Sequence, residues 1–388
     1  MTSQNLVLKF KMFMTEKRFI LLIVIIIAVQ IKAQPTEWKI FSTKNSGVFN
    51  PQIISMAVDK IGSIWSMMKS GDILKYDEKQ WINIDLQISG IPKSSLKKIV
   101  IDKYNHKWFL TNGYGLAKFD GTDWTIYNKS NSGIKDNITN ALAFDSLGNI
   151  WIGTEENGLI KFDGSNWIQY RTGNSDIPEN KITAIEIDKY NIKWIGTWWS
   201  GGVAKFNDTS WVVYNRTNSG LEHFINDIHS DRNNNIWIAN QSGISRISNN
   251  VWSHYFYTQA AIFKTIAEDS KGNIWAGYDR SPTYNKFSFM YHDGIQWISF
   301  SKDTIGSIPI VEIEVIAVND SDIYFGTYDR GVIKFNSNNF TLYDKINTGI
   351  QNDYVKAVAY DKSGNILIGT YGSGIVFHKS DKNTTSWR

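Results

Sequence analysis

The chain has no cysteine in its 388 residues. That excludes disulfides, thiolate metal centres, a cysteine nucleophile and the acylated Cys of a lipoprotein anchor. It does not fix the compartment, because exported proteins can also do without disulfides. Histidine is scarce too, with six scattered copies. The Gly-x-Ser-x-Gly, His-Glu-x-x-His and phosphate-loop signatures are all missing, so neither an enzyme nor a cofactor is expected. After residue 33 there is no helical period, and no apolar run approaches the roughly 20 residues that span a bilayer.

What is present begins with a secretion signal, expected over residues 1–33. Lys9, Lys11, Lys17 and Arg18 form a basic start, and Phe19 to Val29 is apolar. Ile31-Lys32-Ala33 ends in the small residue that a signal peptidase needs, and Met14 gives a start of more usual length. Removing this segment takes away five basic and one acidic side chain, which brings the formal charge from +4 to zero. A neutral mature protein has no electrostatic footprint for nucleic acid or anionic membrane, and after cleavage no membrane anchor is expected.

The rest is a repeat. One aromatic recurs at Trp65, Trp108, Trp151, Trp194, Trp237 and Trp275, with Tyr324 and Leu367 in the last two copies. A second series runs Trp38, Trp81, Trp124, Trp167, Trp211, Trp252, Trp297 and Phe340. Most steps are 43 residues. Each unit holds four short apolar runs; in the fourth they are Ile182–Ile187, Lys193–Thr197, Val203–Phe206 and Trp211–Tyr214. Between the first two lies Asp188-Lys189-Tyr190-Asn191, an Asx turn with φ > 0 at its end. The turn is read as a hairpin, not as a sialidase Asp-box or a calcium loop. Four strands per unit at this period are propeller blades. The expected fold is therefore all-β: a single β-propeller over residues 34–379, with a polar tail at 380–388. Eight blades are expected if Trp38–Phe41 completes the last blade beside Gly374–His378, and seven with a stray unit is the alternative.

The run Asn149-Ile150-Trp151-Ile152-Gly153-Thr154, then Gly158-Leu159-Ile160-Lys161-Phe162-Asp163-Gly164 and Trp167-x-x-Tyr170, with Asn131-Ser132-Gly133-Ile134 in the connector, resembles the two-component regulator propeller repeat. The resemblance extends over residues 36–379. It implies the periplasmic sensor part of a bacterial hybrid two-component system, with oligosaccharides as the frequent ligand class. The chain departs from the large members in carrying no kinase, receiver or transmembrane region after the repeats. Phosphotransfer by the chain itself is thus not expected, and free-standing sensor or part of a larger one both stay open.

Thirteen of the 16 Trp fall on the two series and are read as packing between blades. Trp387 lies in the tail. Trp198 and Trp199 occupy the loop between the second and third strands of blade four, and equivalent loops elsewhere carry Tyr114, Glu155, Glu156, Tyr278-Asp279-Arg280, Tyr328-Asp329-Arg330 and Tyr371. These form the candidate ligand-binding face, because aromatics beside charged and amide groups suit a ligand with apolar and hydroxylated sides. A second irregularity lies two residues before the Asp that closes the first strand. The column there reads Ala57, Val100, Ala143, Glu186, His229, Ala267, Val318 and Ala359. Glu186 and His229, with Asp227 nearby, break its apolar pattern. They are read as a satisfied polar cluster, with a propeller lyase as the enzyme alternative. A small-molecule or glycan ligand is the expected partner, and a docking scaffold for an envelope protein is the alternative.

Overall fold

The computed structural model describes residues 38–379 except 42–51, 78, 86–90, 93–94, 200, 256–261, 279–286, 302–310, 320–321, 337–338, 349 and 351. The expected signal segment and polar tail lie outside the described residues. Among those described, the only helix is the single turn Arg216–Ser219; everything else regular is strand.

The strands form eight antiparallel sheets of four. Blade four has the strands Ile182–Ile187, Lys193–Thr197, Val203–Phe206 and Trp211–Tyr214, as the apolar runs require. Seven sheets follow chain order. The eighth takes Val355–Tyr360, Ile366–Thr370 and Ile375–His378 and is completed on its outer edge by Trp38–Phe41, which settles the count at eight. First strands pack against first strands at most seams, and Ile53–Val58 of blade one meets both Leu96–Ile101 of blade two and Val355–Tyr360 of blade eight. Each first strand is the inner edge of its sheet, so its unpaired backbone groups face the central opening.

In blades one to six the Asp of the hairpin has a double task. Asp188 Oδ1 accepts the N–H groups of Tyr190 (2.9 Å) and Ile192 (3.0 Å), while Oδ2 accepts the Trp194 indole N–H at 3.0 Å. The same indole bond recurs from Trp65 to Asp59, Trp108 to Asp102, Trp151 to Asp145, Trp237 to Asp231 and Trp275 to Asp269. This explains why a carboxylate is buried in every such turn: its lone pairs are occupied by the turn and the ring it orients. Blade seven differs. Its hairpin is shorter, with Asn319 paired to Asp322, and Ala317 stands opposite Tyr324. The apolar column therefore passes through Ala317 there, and Val318 sits one position further along.

Blades join through the first Trp series. Trp151 is fully buried and shares a cluster with Ile182, Ile195 and Phe206 of blade four. Truncating such a ring removes about 3–5 kcal/mol. An ion pair joins Lys107 to Asp59 of the blade before at 3.5 Å, and the wholly buried Lys193 reaches to within 4.0 Å of Asp145 of the blade before.

Candidate functional site

The residue that opens the second-to-third-strand loop is fixed by one extra backbone bond. Trp198 N–H donates to Lys181 O (3.2 Å), as Lys69 does to Gln52, Asn112 to Ser95, Glu155 to Ile138, Tyr328 to Glu312 and Tyr371 to Tyr354. These loops and the segments leading into the first strands therefore share one face, at the mouth of the central opening.

On blade four the loop displays its two indoles, Trp198 at 37 % and Trp199 at 62 % exposure. Both meet Phe224 of blade five edge-to-face, with centroids 5.2 and 5.0 Å apart. Phe224 adopts φ +55°, a left-handed conformation that is strained for an aromatic residue. Lys181 places its ammonium 4.3 Å over the Trp198 ring, and Trp199 N–H donates to Glu179 at 2.8 Å. The loop closes on Gly202 at φ +75°, where a Cβ would fall 2.2 Å from Tyr214 O, so only glycine fits.

A second aromatic group stands on blades seven and eight. Tyr328, 46 % exposed, packs on Tyr354 at 4.5 Å, and Tyr354 on Tyr371 at 5.2 Å. Lys356 lies 4.9 Å over Tyr354, and Lys69 bonds the Tyr371 hydroxyl. Asp329 and Arg330 are exposed beside Tyr328. Tyr114 is exposed on blade two, and Glu156 on blade three, its N–H donating to Asp136 at 2.7 Å.

Tyr278 does not join this face. It ends the second strand of blade six opposite Phe263 and is buried against that ring at 4.9 Å. Its true counterpart in blade seven is Thr327, opposite Ile313, so the two Tyr-Asp-Arg triplets are offset by one residue. Asp279 and Arg280 lie outside the described residues.

Between the aromatic groups runs a polar belt that no motif announces. It is built from the second residue of each first strand: Lys97, Asn140, Thr183, Asn226, Lys264, Glu314 and Lys356, with Ile54 as the apolar exception. Lys97 donates to Asn140 (2.6 Å), which donates to Glu155 (2.8 Å), which pairs with Lys181 (2.7 Å). Thr183 and Asn226 each donate to a backbone carbonyl of the next blade, Ile225 and Phe263. Lys264 pairs with Glu312 and Glu314, and Lys356 with Glu314 at 2.6 Å. Burial opposes charge on Glu155 and Glu314, but the lysines outweigh it and hold both carboxyls below the usual range. Burial pushes the Lys97 ammonium down.

Lower in the wall sit the three polar residues of blades four and five. Glu186 accepts the Ser230 N–H at 3.0 Å, and Asp227 accepts the Ile266 N–H at 2.9 Å. Each carboxylate thus covers an inner-edge amide of the next blade. Burial raises the Glu186 pKa to about 7, helped by Asp227 and Asp188, and raises that of Asp227 as well. His229 stands 3.9 Å from Glu268, and its Nε2 is buried without a hydrogen bond. Among the described residues no group of three or more His, Asp or Glu is placed to hold a metal. Nor is any helix there long and apolar enough to cross a membrane.

The architecture is an eight-bladed propeller with an aromatic and charged rim around its opening. Residues 132–156 match the two component regulator propeller family, so the chain carries that repeat. No curated protein matches the sequence. The extracellular domain of a one-component system protein from B. thetaiotaomicron aligns at 17 % identity and TM-score 0.51, over 87 % of this chain and 54 % of that domain. The chain thus spans about half the length of that relative. A streptogramin B lyase aligns at 12 % identity and TM-score 0.54, over 89 % of this chain and 99 % of the other. A computationally designed protein, Ika8, aligns at 13 % identity and TM-score 0.63, over 85 % of this chain and 97 % of that one. At these identities the likeness is one of fold.

Proposed function

We propose that the chain is an exported, non-catalytic sensory propeller whose ligand, an oligosaccharide, binds across the mouth of the opening. The observation that carries this reading is the pair of exposed indoles on Phe224, facing a lysine- and carboxylate-rich belt. Apolar ring faces stack on aromatic platforms, and convergent polar groups orient hydroxyls. The family repeat and the fold shared with a sensor's extracellular domain support it. The experiment is the double substitution Trp198→Ala with Trp199→Ala, titrated calorimetrically against oligosaccharides and envelope extracts. Both rings are exposed, so the melt should stay within a few degrees while affinity falls by about 1–3 kcal/mol. Undiminished binding would place the site elsewhere. Trp-dependent binding of an extract protein, with no glycan bound, would mean that a docking partner is the occupant.

One observation favours a second reading. Glu186, with its pKa raised to about 7, and His229, with an unpartnered Nε2, give adjacent blades an acid–base pair on a fold shared with a lyase. A glycan or streptogramin B probe that is chemically altered by the wild type, and spared by Glu186→Gln or His229→Ala, would replace the binding reading.

A further inference from the structure

On the opposite face, the seams between blades can be compared residue by residue. In blades two to four a third-strand lysine lies over the first-series Trp of the same blade: Lys118 over Trp108 (5.8 Å), Lys161 over Trp151 (5.3 Å) and Lys205 over Trp194 (5.4 Å). Lysine and Trp are cross-strand partners, so both face the next blade. Between blades three and four that next blade answers with a carboxylate. Asp208, in its turn between third and fourth strands, stands 3.7 Å from Lys161 and also takes Lys193. The buried Lys193 fills more of this seam, 4.9 Å over Trp151.

Between blades two and three neither group is present. Gly164 occupies the place of Asp208, and a Cβ on it would meet nothing within 4 Å. Ile150 occupies the place of Lys193. A groove of about 220 Å³ remains, with Lys118 in its wall. The carboxylate in the lining, Asp102, is fully engaged: it accepts the N–H groups of Tyr104 and His106 (2.8 Å each), the Trp108 indole (2.9 Å) and His106 Nδ1 (2.8 Å). Asp120 and Asp163, in the outer turns of the two blades, each spend an oxygen on two amides of their own turn. His106 lies two residues before Trp108 and enters the same groove. A carboxylate can only accept, so Nδ1 carries the proton and Nε2 is left for the groove. Tyr104, 64 % exposed, and Tyr127, stacked on Trp108 at 6.0 Å, add ring faces. The larger cavity between blades four and five, about 470 Å³, has Ile192 where this groove has His106.

We infer that the groove between blades two and three is a second binding site, for a ring-bearing carboxylate, whose anionic group takes the place that the Asp208 side chain fills in the next seam. Lys118 receives the carboxylate, His106 meets a ring substituent, and the tyrosines pack on the ring. A cavity of roughly 150 Å³ takes one benzene ring, so this groove has room for a single six-membered ring and its acid group. Sugar acids and aromatic acids share that chemistry. The inference is independent of the channel-mouth reading, since none of these residues lies on that face.

The test titrates the purified protein by calorimetry with four probes: galacturonate and benzoate, which carry ring and carboxylate, galactose, a ring alone, and acetate, a carboxylate alone. One of the ring acids should bind at least tenfold more tightly than galactose and acetate, and the better one identifies the source. Lys118→Gln should weaken it at least tenfold, whereas Lys205→Gln, the same change in blade four, should not. Gly164→Asp supplies the chain's own carboxylate and should abolish binding in a normally melting protein; where that variant does not fold, Lys118→Gln decides. The Trp198→Ala, Trp199→Ala protein should bind unchanged, which separates this site from the channel mouth. Failure of both ring acids, equal binding of galactose or acetate, or binding that survives Lys118→Gln or a folded Gly164→Asp would overturn the site.

Discussion

The seams on either side of blade four come from the same repeat and close in different ways. Between blades three and four, Trp151 is covered by Phe206 and stacked on Tyr170, and Lys193 reaches across to within 4.0 Å of Asp145. Between blades four and five, Ile247 replaces the Phe, Ile236 replaces the Lys, and a cavity remains. Toward the axis the order reverses. The dry seam has Ala143 where the open one has Glu186 tied to Ser230. A blade can therefore depart from the repeat without losing its strands, because the backbone ladder and the Asp–Trp anchor carry the fold. The departures gather where there is room for a ligand.

The sharpest way to break this comparison is to truncate the two equivalent side chains. Phe206→Ala should cost about 3–5 kcal/mol and Ile247→Ala about 2, since Ile247 already borders empty space and has fewer contacts to lose. Urea denaturation at pH 7 reads both. Equal losses would show that the second seam is filled in solution.

The residues that fill or open a seam were legible in the sequence to different degrees. The two aromatic columns and the turns between them fix the strands of blade four to the residue, and the match of Trp38 to its column foretells ring closure. Periodicity misleads where a hairpin or loop changes length. Tyr278 follows Trp275 by three residues but Tyr328 follows Tyr324 by four, so similar triplets sit one step apart, and one step turns a strand side chain to the other side. The short blade-seven hairpin shifts Ala317 and Val318 in the same way. The polar belt was readable as a column once first strands were aligned, yet its hydrogen bonds pass between blades 43 residues apart, as from Lys97 to Asn140. Phe224 and Tyr354 match no motif, and only the ring brings them beside Trp198 and Tyr371.

The inner end of the open seam sharpens the comparison through pH. Burial raises the folded-state pKa of Glu186 to about 7, above the roughly 4.3 of an unfolded glutamate. Its contribution is fully present below the unfolded value and is lost as pH rises through the folded one. Glu186→Gln removes that loss and keeps an oxygen to accept the Ser230 N–H. It should therefore raise stability by about 2–3 kcal/mol at pH 8, with the gain vanishing by about pH 4. Thermal melts of both proteins across this range check it. A difference that does not change with pH would mean that the carboxyl is solvated and the seam wet on both faces. Ala143→Gln, at the dry seam, should show no such profile.

The smallest expected effect comes from converting one seam into the other. Ile247→Phe gives blade five the ring that Phe206 provides in blade four, and the strand needs no change, because Ile247 pairs with Trp252 as Phe206 pairs with Trp211. Phe206 stacks on Trp211 at 4.0 Å, so the new ring has the same neighbour waiting in Trp252. The added apolar area is about 40 Å², worth about 1 kcal/mol if it leaves water, less the cost of ordering one more side chain. Were the space already occupied by the surrounding side chains, the same substitution would overpack the seam and lose about 1–3 kcal/mol instead. The sign alone decides, and a melting curve reads it: a rise of a few degrees means that the seam between blades four and five is open in the folded protein, and a fall means that it closes like the seam before it.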